Sequence, residues 1–151
     1  MTGPIGTAGA EGFVRVDTSN AVTVAQFRHE LSQWLRTHFA IDPTRLNDVL
    51  LAVNEALTNV AEYAYGGGHG AMAMQARYDA DDGTLLVDVS DYGTWRQPDP
   101  TDRFSIRGRG IPLMRALADR ATISPLPTGT QVQLEFGDCA LVTADTYAAQ
   151  A

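Results

Sequence analysis

The sequence predicts an α+β sandwich: two layers, with a mostly antiparallel, mixed sheet covered on one face by about three helices. Three observations carry this expectation. Two long stretches with helical period come early, strand pairs joined by turn signals follow them, and no internal repeat breaks the order. At 151 residues, one domain with one core is the expected size.

Phe13-Val14-Arg15-Val16-Asp17 alternates like a short strand, and Thr18-Ser19-Asn20 supplies helix-capping residues. Val24, Phe27, Leu31, Trp34 and Leu35 then recur at three-and-four spacing, which predicts a helix ending near Phe39 with Trp34 in the core. A second helix starts at Asp42 as N-cap with Pro43 at its first position, and the Gly66-Gly67-Gly68 run should stop it. Leu46, Val49, Leu50, Val53, Leu57, Val60 and Ala64 fall on one side of it, and Asp48, Glu55, Asn59 and Glu62 on the other.

Two strand-like runs, Ala71–Asp79 and Thr84–Asp91, flank the hairpin signal Asp81-Asp82-Gly83, with Met72 and Met74 expected in the core. From Tyr92 to Arg107 no period is sustained. That is long for a connection, and such loops often serve as lids. Gly110–Asp119 reads as a short helix with Pro112 in its first turn, and Arg120–Ser124 with Thr130–Phe136 as a closing hairpin. Residues 13–138 should therefore form the folded unit, with 1–12 a disordered N-terminal tail and 139–151 a flexible C-terminal one.

Composition excludes several classes of function. The net charge of −7 repels phosphate backbones and anionic lipid, so neither nucleic acid nor a membrane is an expected partner. All 11 basic residues are arginine, which removes any mechanism that needs a lysine ammonium. The single cysteine, Cys139, forms no internal disulfide, and no run of about 18 apolar residues occurs, so a cytoplasmic protein is expected. His29, His38 and His69 are too scattered for a metal site.

Three stretches could carry chemistry. Glu55 and Asn59 stand four apart and project from one helix face, where a carboxylate beside an amide can take a proton and ligate a hard cation such as Mg²⁺. Alone, such a pair is more often a solvated helix face. Val87–Gly93 is an apolar strand ending in Asp91 and Gly93. The aspartate can accept from a ligand amino group and the glycine lets backbone approach, although an ordinary turn reads the same way. In Arg107-Gly108-Arg109-Gly110, glycines precede a helix start where a phosphate would meet unpaired N–H groups, and six of the eleven arginines cluster from Arg96 to Arg120.

The order of these stretches, closed by Gly129-Thr130, resembles the N, G1, G2 and G3 boxes of the GHKL or histidine-kinase-like ATPases, whose fold is the Bergerat type. With "LAVNEALTNVAEYAY" and "GRGIPLMRALAD", the resemblance is greatest to the small bacterial anti-sigma factor serine/threonine kinases, over roughly Asp17 to Phe136. It implies Asn59 as the Mg²⁺ ligand and Glu55 as the base that deprotonates a protein hydroxyl. Asp91 would accept from the adenine amino group, with Gly93 and Thr130 at the same pocket. Gly108 and Gly110 would approach the phosphates, with Arg107 or Arg109 as charge partners. The implied reaction is transfer of the ATP γ-phosphoryl group to a STAS-type anti-anti-sigma protein, with a sigma factor as second partner. A homodimer is common among similar proteins.

Two positions depart from that pattern. Trp95 stands where the G1 pattern has a second glycine, and Tyr63 where members often carry a histidine. A protein that sequesters its partner, with or without nucleotide, and transfers no phosphate is the alternative. Glu55 separates the two, because a pure binder needs no base.

Overall fold

Capping side chains set the start of both long helices. Asn20 accepts from the Thr23 amide and begins α1 (Ala21–His38), while Asp42 accepts from the Thr44 and Arg45 amides and begins α2 (Pro43–Asn59). The computed structural model describes residues 9–93 and 106–142. Around the helices run β1 (Gly12–Thr18), β2 (Phe39–Ala40), β3 (Ala71–Asp79), β4 (Thr84–Asp91), α3 (Ile106–Leu117), β5 (Arg120–Leu126), β6 (Gly129–Phe136) and β7 (Ala140–Leu141). Five strands form one sheet in the order β1-β3-β4-β6-β5. Every pairing in it is antiparallel, so the α+β fold is the one expected, with a wholly antiparallel sheet in place of a mixed one among the described residues.

Alternation along the strands sends one set of side chains to the helical layer. Phe13, Met72, Met74, Leu85, Val87, Val89, Val132, Leu134 and Phe136 are buried there, against Leu31, Leu35, Val49, Val53 and Leu57 of α1 and α2. Each of these large side chains contributes about 1.5–3 kcal/mol relative to its exposed state. Trp34 is core as expected, edge-on to Phe13 and Phe39 at 5.3 and 4.9 Å, with its indole N–H donating to the Gly9 carbonyl. Cys139 also lies in this core, and burial pushes its thiol pKa up.

The structure differs from the sequence expectation at four boundaries. Helix α2 does not continue uniformly to the glycines: after Asn59 the chain widens into a π-helical turn, Val60–Ala64. Helix α3 begins at Ile106, not Gly110, and runs through Pro112, which has no N–H to return to the Gly108 carbonyl. Part of the expected C-terminal tail is tied down, since β7 pairs with β2 and the Val142 amide donates to the His38 carbonyl. At the other end, the Glu11 carbonyl accepts from the Tyr78 amide. The centre of the expected lid, with Trp95, Arg96 and Arg103, lies outside the described residues.

Candidate functional site

Glu55 and Asn59 sit on the last turns of α2, and the expectation of a solvated face fails there. Asn59 is only 2% exposed. The cause is α3, packed along α2 so that Gly110 faces both side chains. A Cβ built on Gly110 would stand 3.1 Å from Nδ2 and 3.3 Å from Oδ1 of Asn59, and 3.4 Å from Oε2 of Glu55. Only a glycine lets helix backbone come this close without moving the amide. The Asn59 Nδ2 group has no hydrogen-bond partner among the described residues, and a buried orphan donor costs about 1–3 kcal/mol. An amide kept at that cost beside a carboxylate fits a ligand oxygen on its N–H side and a hard cation on its carbonyl side.

Further along the same helical wall, the tip of β4 meets the π-helical turn. Asp91 is 4% exposed, and its Oδ1 accepts from the Gly93 amide at 3.0 Å and the Thr130 amide at 3.3 Å. Thr130, also buried, is the register partner of Asp91 on β6. Gly93 presses on the carbonyl of Ala64, where an added Cβ would lie 1.9 Å from the oxygen. Gly129 has φ +150°, and its Cβ would lie 1.9 Å from the Asp91 carbonyl oxygen, so a side chain there is excluded on two grounds.

Tyr65 closes this corner, and the sequence reading passed over it as the end of a helix. Its hydroxyl donates to the Ala71 carbonyl at 2.5 Å and accepts from the Tyr92 amide at 2.9 Å, tying the π-helical turn to the ends of β3 and β4. Tyr65→Phe removes both bonds and little volume. The expected outcome is a loss of about 1 kcal/mol in chemical denaturation, with faster amide exchange at Tyr92 than at neighbouring β4 residues.

The structure thus brings Glu55, Asn59 and Gly110 together at one end of the wall, and Asp91, Gly93 and Thr130 at the other. Arg107, Gly108 and Arg109 belong to the first turn of α3, but their side chains lie outside the described residues. Tyr63 is half-buried on the π-helical turn. Among the described residues no three His, Cys, Asp or Glu side chains gather as a metal site, and no helix is long and apolar enough to cross a membrane.

A five-stranded antiparallel sheet under α2, with a carboxylate-amide pair facing a glycine of α3 and a buried aspartate at a strand tip, defines an α+β sandwich with a candidate ligand site along one helical wall. Residues 18–136 match the model of the histidine kinase-like ATPase domain, and the chain belongs to that family. ATP or ADP is the ligand that this membership implies. Among solved structures, the RsbU and RsbW domains of Rv1364c from Mycobacterium tuberculosis superpose with a TM-score of 0.65 at 19% identity over 85% of this chain. The match spans 33% of that longer chain, so what it shares is the fold. The Erythrobacter litoralis EL346 blue-light activated histidine kinase gives a TM-score of 0.49 at 23% identity, over 64% of this chain and 31% of its own.

Proposed function

We propose that this chain is an ATP- and Mg²⁺-dependent protein serine/threonine kinase that phosphorylates a STAS-type anti-anti-sigma protein and also sequesters a sigma factor. The observation that carries the reading is the buried Asn59 Nδ2, without a partner among the described residues, beside the Glu55 carboxylate and Gly110. Such a pair offers a proton acceptor and a metal ligand within one turn of helix. The choice of partners rests on the resemblance of the sequence to the anti-sigma factor kinases, and the fold shared with the RsbW-containing structure is compatible with it.

In this reading Asp91, buried at the tip of β4, accepts from the adenine amino group. Asn59 Oδ1 would hold Mg²⁺, which when bound offsets the phosphate charge. A phosphate chain reaching Asn59 takes the place that Gly110 occupies here, so the first turns of α3 rise on binding. Glu55 accepts the proton of the incoming serine or threonine hydroxyl. The hydroxyl oxygen forms the new bond to the γ-phosphorus, the bond to the β,γ-bridging oxygen breaks, and ADP leaves.

The first test is a thermal-shift measurement with ATP or ADP and Mg²⁺, followed by phosphate transfer to a panel of STAS proteins. Ligand at 100-fold its Kd should stabilise the fold by about 2.7 kcal/mol, roughly 8 °C for a domain of this size. Absence of any shift with both nucleotides removes the nucleotide reading. A shift without transfer to any panel member removes the kinase and leaves the nucleotide-binding, partner-sequestering switch.

A further inference from the structure

We infer that Arg45, at the far end of α2 from Asn59, is a positioning residue that sets the angle of α3 and thereby the affinity for the phosphate part of the nucleotide. The inference rests on the nucleotide reading above. It starts from a cluster that the proposed chemistry leaves unused. The Arg45 guanidinium donates to Asp119 Oδ2 at 2.7 Å and makes longer contacts, 3.5 Å each, to the carbonyls of Leu117 and Gly137. It also lies over the Phe136 ring, 5.4 Å from the centroid. The Asp119 carboxylate accepts in addition from the Gly137 amide, and the Asp119 amide donates to the Glu135 carbonyl. One arginine thus ties the first turn of α2 to the end of α3 and to the exit of β6.

At its C-terminal end helix α3 is held by this cluster together with the buried Ala118. Met114, fully buried, fixes its middle, and at the other end Gly110 meets Asn59 and Glu55 through contacts that a bound phosphate replaces. From Met114 back to Gly110 the helix spans about 6 Å, so a tilt of about 10° about Met114 moves Gly110 by about 1 Å. Displacements of that size beside reacting groups can cost on the order of 100-fold. Arg45 therefore restricts the angles open to α3 with and without nucleotide. Asp91 and Gly93, which face the base, are built on β4 and the π-helical turn and do not depend on α3.

The test compares wild type with Arg45→Met, which keeps the apolar stem over Phe136, and with Asp119→Ala, at a half-exposed position outside the core. Affinity for Mg-ATP is measured by calorimetry and affinity for adenosine by displacement of a fluorescent nucleotide. Amide exchange is followed without ligand. Both variants should bind Mg-ATP about 10-fold more weakly and adenosine as wild type does, a coupling of ordinary size. Exchange at Gly110, Ile111 and Leu113 should accelerate while that of Val49 and Val53 stays fixed. Unchanged or tighter ATP binding, an equal loss of ATP and adenosine, or unchanged exchange in α3 overturns the inference. If wild type binds neither ligand, the nucleotide reading falls, and the exchange result still decides whether Arg45 seats α3.

Discussion

Replacing Glu55 by glutamine is expected to lower phosphoryl transfer by about 100- to 10,000-fold, the range removed with a positioned general base, while Mg-ATP affinity stays within about two-fold of wild type. Glutamine keeps the length and planarity of the side chain, so the packing of Gly110 over the carboxylate position is preserved. What disappears is the capacity to take a proton. Asn59→Ala should behave differently, lowering affinity and transfer together, because it removes the oxygen proposed to hold Mg²⁺ and leaves a void under α3. Steady-state transfer to a STAS substrate, paired with calorimetric ATP binding, checks both variants. Undiminished turnover in Glu55→Gln would exclude Glu55 as the base. Loss of nucleotide binding in that variant would instead make Glu55 part of the binding surface.

Gly93→Ala should cost about 2–3 kcal/mol of stability and weaken ATP binding by roughly 10-fold or more. The new Cβ would sit 1.9 Å from the Ala64 carbonyl oxygen and 2.6 Å from its carbon, and both are main-chain atoms with no rotamer to change. Relief requires the β4 tip to leave the π-helical turn. The Tyr92–Tyr65 bond and the placement of Asp91 would move with it. Gly66→Ala is the control. Its φ of +58° strains an alanine by about 1–2 kcal/mol, but among the described residues nothing beyond its chain neighbours lies within 4 Å, so ATP affinity should hold. Denaturation and calorimetry on the two variants separate the cases. Equal loss of affinity in both would show that backbone strain near the glycine run matters, and that the Gly93 contact does not.

Much of this arrangement was legible because its signals are local. The Asp42-Pro43 start, the Ala71–Asp79 and Thr84–Asp91 hairpin and the burial of Met72 and Met74 follow from capping, turn chemistry and alternation within a few residues. The Asn59 environment did not follow, because a helical period assigns a side chain to a face and carries no information on what covers that face. Here the cover comes from Gly110, far along the chain. Arg45 was hidden for the same reason: on α2 alone it reads as a solvated arginine, and its partners Asp119 and Gly137 come after α3. The start of α3 was misplaced because glycine and proline, ordinarily helix breakers, fall inside it.

The widened turn at Val60–Ala64 makes the chain sensitive to length at this point in a way that sequence identity alone does not register. Deleting one residue from it would let the helix continue with ordinary winding, a local gain in regularity. The same deletion would shorten the path to Tyr65 by one residue, carrying its hydroxyl away from Ala71 and Tyr92. A shortened homologue could therefore fold well and still have lost the corner that Tyr65 builds around Asp91 and Gly93.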